Sequence, residues 1–241
     1  MRMTACRFAI LFVLLVGVST AAAAESRAAP GERSTPQAAA SVLDAPAAIR
    51  VAMLTYAEGT TARCFSDAFL ADADAVTAAR IAPSFADVDL ASPRLFDHGV
   101  AILSGEGAFA FDDDERRQLG AYLAAGGFVI ASAGCSNAEW NESLAAELGT
   151  LFPAAALVTL DADHDAYRCV YDVDYSRYRS GVARLPELRA LEVDGRLAMV
   201  WSPDGLNDTA ALGGECCCCG GDEVQSARRL NVNLLLYALT R

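Results

Sequence analysis

The chain has 241 residues, 54% hydrophobic, 21% charged and 8% aromatic, with 31 acidic against 19 basic residues and a formal net charge of −12. That profile suits a globular chain with a sizeable core and excludes intrinsic disorder, collagen and a coiled coil. The acidic balance leaves no electrostatic footprint for nucleic acid, and the absence of lysine excludes Schiff-base chemistry and lysine-dependent phosphate loops.

Arg2 and Arg7 open the chain, Phe8 to Val18 is apolar apart from Gly17, and small residues follow through Ala21, Ala22, Ala23 and Ala24. A charged start, a short apolar run and a small-residue exit make residues 1–24 a secretory signal peptide. The run is shorter than the roughly 20 apolar residues that cross a bilayer, so no stable membrane span is expected after cleavage. The expected location is therefore outside the cytoplasm, periplasmic or secreted. Cys6 precedes the apolar run, whereas a lipoprotein cysteine would follow it. Residues 25–46 are rich in Ala, Ser, Pro and Gly without hydrophobic periodicity and read as a flexible linker. Residues 47–241 then form a single α/β domain.

In that domain Ile49 to Tyr56 is a mostly apolar run that suits a buried first strand. A helix is predicted from about Arg63 to Arg80, with Phe65, Phe69, Ala73 and Val76 at helical spacing. Strands are predicted at Ala86–Leu90 and Val100–Ser104. Asp112 and Glu115 form a capping box opening a helix that Gly126 and Gly127 close. Phe128–Ser132 reads as the next strand, and Ser136 with Glu139 as the start of a helix carrying Trp140, Leu144, Leu148 and Leu151. Ala156–Leu160 is a fifth strand, Leu191 to Trp201 a β-hairpin about Asp194-Gly195, and Glu223 to Thr240 a closing helix. Strands and helices that alternate, with apolar strands on both faces, predict a doubly wound, mostly parallel sheet with helices on both faces, plus a small β-hairpin.

Ligands in such sheets bind beyond the carboxyl ends of the strands. The loops expected there carry Cys64, Gly105-Glu106-Gly107, Cys135, His164 and the run Cys216, Cys217, Cys218 and Cys219. Soft sulfur and imidazole ligands gathered at one edge suit Zn²⁺ or Cu(I), with Cys64, Cys135, His164 and Cys216 to Cys219 as candidate ligands. In an extended segment Cys216 and Cys218 face one way and Cys217 and Cys219 the other, so two of the four are natural co-ligands. Disulfides are the competing reading, since exported chains form them readily; cleavage takes Cys6 from the eight cysteines and leaves seven, an odd number.

A second chemistry is nucleophilic catalysis. Cys135 lies between a strand and a helix, where the helix N-terminus favours a thiolate, and His164, flanked by Asp163 and Asp165, is a candidate base. Glu106 is a further candidate for the same cleft. The third alternative is a disulfide-stapled interaction module with no site. Partners are then an unidentified protein or a small-molecule ligand. Asp112-Asp113-Asp114 is a helix start, the Asp161, Asp163 and Asp165 spacing lacks the Gly and Glu of a calcium loop, and His98 is structural. Tyr171, Tyr175 and Tyr178 with Arg177 and Arg179 form either a binding rim or a solvated connector.

The segments Leu103 to Phe109, Asp113-Glu115-Arg116, Gly126-Gly127-Phe128 leading to Cys135, Asp163-His164, Trp201-Ser202-Pro203 and Asn231 to Thr240 together resemble an uncharacterised bacterial family, the domain of unknown function 4159. The resemblance covers most of Ile49 to Thr240. It implies a class I glutamine-amidotransferase-like fold with a flavodoxin-like sheet, and brings no established activity. The amidotransferase nucleophile pattern would need glycines where Ala133 and Asn137 stand, and its histidine step is broken by Ala166.

Overall fold

The computed structural model describes residues 47–57, 65–155, 157–178, 180–208 and 224–241. The segments expected to be a signal peptide and a linker, together with Cys64 and Cys216 to Cys219, lie outside the described residues. Strands β1 (Ala52–Thr55), β2 (Ala86–Asp89), β3 (Val100–Gly105), β4 (Phe128–Ala133), β5 (Leu157–Thr159), β8 (Arg189–Val193) and β9 (Arg196–Ser202) form one sheet of order β2-β1-β3-β4-β9-β8-β5. From β2 to β9 neighbours run parallel; β8 pairs antiparallel with both β9 and β5. Helices α1 (Ala68–Val76), α2 (Asp113–Ala124), α3 (Ala138–Leu151) and α4 (Ala227–Leu239) cover it.

The period-two geometry of a strand sends alternate side chains to opposite faces, and here both faces are apolar. Val51 and Met53, with Ile102, Phe128 and Ile130, enter a core shared with α1 and α4. Ala52 and Leu54, with Leu103, Val129 and Ala131, enter a second core under α2 and α3. The helices change face because the chain changes direction across the sheet: β1 leads left to β2, β3 leads right to β4, and right-handed crossovers then fall on opposite sides.

Helix α2 begins as expected, with the Asp112 carboxylate accepting from Asp114 and Glu115 N–H and Glu115 reaching back to Asp112 N–H. Several boundaries differ. Helix α1 is shorter than expected, and the closing helix begins at Ala227 rather than near Glu223. Helix α3 is capped by Asn137, whose side chain accepts from Trp140 N–H at 2.8 Å; Ser136 is instead held outside the helix. The hairpin about Asp194 and Gly195, both with positive φ, is not a separate unit but supplies β8 and β9 to the main sheet. The separate hairpin is β6 (Ser176–Arg177) with β7 (Ala183–Arg184); its first strand falls in the stretch read as either a binding rim or a solvated connector. Among the described residues no helix is long and apolar enough to cross a membrane.

Candidate functional site at the carboxyl edge of the sheet

β4 ends at Ala133, and the chain makes a single 3₁₀ turn, Gly134–Ser136, before α3. Cys135 (φ 52°, ψ 33°) and Ser136 (φ 55°) both adopt the left-handed conformation that residues with a Cβ avoid. Each such residue costs on the order of 1–3 kcal/mol and persists only where its surroundings over-determine it. Here they do. Asn137 N–H bonds Gly134 O at 3.0 Å, and Ser136 Oγ donates to Asp204 O at 2.7 Å. Asn137 Oδ1 also accepts from Gly107 N–H at 3.1 Å, and Asn141 Nδ2 donates to Pro203 O at 3.1 Å. The turn is thus tied to the loop after β3 on one side and the loop after β9 on the other.

The result places the Cys135 thiol 3.6 Å from Glu106 Oε1, to which it donates. Gly134 makes the approach possible: a Cβ there would stand 2.5 Å from Glu106 Cγ. Glu106 in turn sits on a loop with little freedom. Phe109 and Phe111 pack against Tyr56 with ring centroids 5.1 and 5.6 Å away, and Phe109 meets Trp140 at 5.7 Å. Trp140 Nε1 donates to Tyr56 Oη at 2.6 Å, and Tyr56 Oη donates to Ser104 O at 3.1 Å. Phe111 N–H bonds Glu147, whose carboxylate also holds Arg116 in a two-pronged pair at 2.7 and 2.9 Å.

His164 is elsewhere. β5 does end at the carboxyl edge, but the chain then returns across the sheet, burying Ala166 and Tyr167 against α4. His164 Nδ1 accepts from Ala166 N–H at 3.1 Å, and its ring lies 5.5 Å from that of Tyr237 near the end of α4. With Phe128, Glu192, Arg196 and Arg241 it lines a cavity of about 280 Å³ at the amino edge. At roughly 3.3 Å per residue, β4 alone separates the two edges by about 16 Å. The expected Cys135–His164 pair therefore does not form. Burial, only partly opposed by Asp165, pushes the His164 pKa down.

Among the described residues no three His, Cys, Asp or Glu side chains gather closely enough to hold a metal ion. Of the predicted ligands only Cys135 and His164 are described, and they stand at opposite edges. Cys169 is disulfide-bonded. One organising residue carried no signal in the sequence beyond the turn Ser202-Pro203-Asp204-Gly205. Asp204 accepts from Tyr178 Oη at 2.7 Å and Glu187 N–H at 3.2 Å and pairs with Arg184 at 2.6 Å, while its carbonyl holds Ser136.

Residues 50–239 match the model of a family described as Domain of unknown function (DUF4159). The chain belongs to that family. The DUF4159 match spans every described strand and helix of the sheet and includes Glu106, Cys135 and Asp204. No curated protein matches the chain.

Proposed function

We propose that the protein is an exported α/β domain whose chemistry is carried by the Cys135 thiol, acting as a nucleophile with Glu106 as its proton acceptor. The observation that carries this reading is the thiol-to-carboxylate hydrogen bond of 3.6 Å, made from a left-handed turn between a strand and a helix. Such a turn lifts a nucleophile clear of the sheet and leaves it at a helix N-terminus. The reaction class is acyl transfer. Glu106 takes the S–H proton as sulfur attacks an ester or thioester carbonyl, the C–S bond forms, and the leaving group departs with that proton. Water or another acceptor then cleaves the thioester.

A flavodoxin-like, amidotransferase-like arrangement is proposed for the sheet on the parallel order β2-β1-β3-β4-β9, which reverses direction between β1 and β3. Export is supported by the charged, apolar and alanine-rich sequence of residues 1–24, and by the disulfide at Cys169, a bond that persists in oxidising compartments.

The test uses the full mature chain and p-nitrophenyl acetate. An acetyl adduct on Cys135, read by intact and peptide mass, is expected, and Cys135→Ala should lose it. Glu106→Gln should slow its formation by about 10²-fold, the usual contribution of a positioned base, and His164→Ala should leave it unchanged. No adduct on Cys135, or one indifferent to Glu106→Gln, overturns the reading.

A further inference from the structure

At the amino edge, opposite Cys135, one side chain holds a turn through a lone pair that a single proton would remove. The chain bends back after β5, with His164 N–H bonding Asp161 O at 2.9 Å. His164 then stands as the N-cap of the 3₁₀ turn Asp165–Tyr167, its Nδ1 accepting from Ala166 N–H at 3.1 Å. A side-chain N-cap has to accept a hydrogen bond, which is why Ser, Thr, Asp and Asn usually fill the place. A neutral imidazole accepts at one nitrogen only, and an imidazolium at neither. The cap therefore exists only while His164 is uncharged. What it holds is buried: Ala166 and Tyr167 are inaccessible, and Tyr167 Oη donates to Pro186 O at 2.7 Å and accepts from Leu188 N–H at 3.1 Å just before β8.

The groups around the ring decide where a proton would send it. On the α4 side the Tyr237 ring lies 5.5 Å away, and the Arg241 guanidinium already sits over that ring at 5.4 Å while pairing with Asp165. A second cation at His164 would compete with Arg241 for the same ring and the same carboxylate. Across the cavity of about 280 Å³, the β8–β9 hairpin adds Glu192, exposed, and Arg196, whose guanidinium is held by Leu123 O, Gly127 O and Leu197 O. On its own segment Arg168 is turned to Ala162 O and Asp174, whereas Asp161 and Asp163 are exposed at the surface. Burial outweighs these acids and lowers the His164 pKa, so at neutral pH the ring is uncharged and the cap is made.

We propose that His164 is an acid-sensitive latch: on protonation its ring leaves Ala166 N–H and Tyr237 for the exposed carboxylates of Asp161 and Asp163, releasing the 164–167 turn beside the amino-edge cavity. The latch opens below about pH 6.5, where an ordinary histidine becomes charged, and closes again on neutralisation. It is independent of the chemistry at Cys135.

Amide hydrogen exchange of the full mature chain, followed by NMR together with the His164 ring nitrogens, tests the proposal. Protection of Ala166 N–H, taken against its intrinsic rate at each pH, should fall about tenfold as the ring titrates, while Val129 in β4 keeps its protection. His164→Asn, whose side-chain oxygen caps the turn at any pH, should keep Ala166 protected throughout. Arg241→Ala removes the rival cation and should raise the midpoint of the His164 titration; Asp163→Asn should lower it. Ala166 protection that stays constant while His164 titrates overturns the proposal. So does its loss in His164→Asn to the same extent as in the parent, or a midpoint indifferent to Arg241→Ala.

Discussion

Gly134 and Glu106 approach so closely that a single methyl group on Gly134 would lie 2.5 Å from Glu106 Cγ and 2.8 Å from its Oε1. The thiol–carboxylate contact at Cys135 depends on this absent side chain. Gly134→Ala should displace Glu106 and slow acetylation of Cys135 much as Glu106→Gln does, while circular dichroism shows the fold retained. Acetylation at the parent rate would show that the contact is not required.

Cys135→Gly removes the thiol and also relieves a left-handed residue. Relief of the backbone, less the extra entropy glycine loses on folding, should leave the variant about 1 kcal/mol more stable than the parent in urea unfolding. A less stable variant would mean that the thiol holds the turn rather than the turn holding the thiol.

The ring cluster behind the site rests on one hydroxyl. Tyr56→Phe keeps the packing but deprives the buried Trp140 indole N–H of its acceptor. It should cost about 1–3 kcal/mol in chemical denaturation, the price of one orphaned buried donor.

Two titrating groups act with opposite sign. His164 has its pKa lowered from 6.5 by burial, so the unfolded chain takes up the proton first as pH falls. Its contribution is complete above about pH 6.5 and is lost as pH drops towards the lower folded value. Asp208 is raised from 3.8 by burial, so the folded chain holds the proton longer, and stability declines as pH rises from 3.8 through the raised value. His164→Gln should flatten the melting temperature against pH below about 6.5, and Asp208→Asn should flatten it above 3.8 and raise it at neutrality. Parent-like profiles would sink both assignments.

If a carboxylate rather than a metal is the partner of Cys135, a chelator should leave its acetylation rate unchanged. A rate that rises on chelation, with zinc or copper near one per chain, would place Cys135 in a metal centre with cysteines outside the described residues.

The parallel centre of the sheet was legible because β3 and β4 are buried on both faces, and such strands read as unbroken apolar runs. Cys135 was legible for a related reason, since a strand followed at once by a helix leaves its turn at the carboxyl edge. His164 was misplaced by the same rule. The loop after β5 leads to no helix there; burial of Ala166 and Tyr167 draws the chain back over the sheet, and long-range packing of that kind has no local signature. The partnership of Glu106 with Cys135 needed Gly134, whose role is visible only once the two loops are side by side. A cavity beside α4 was half legible: Tyr171, Tyr175 and Arg177 line it, whereas Tyr178 is buried and holds Asp204.

α4 gives Leu230, Val232, Leu234, Leu235 and Leu236 to a core that also needs α1, and Arg228 grips Asp72 from 156 positions away. During synthesis that face of the sheet therefore has only α1 over it until almost the whole domain has emerged. Up to that moment the nascent chain offers a sticky, open layer that a holding chaperone can grasp, so folding is deferred to the last helix rather than built up from the first.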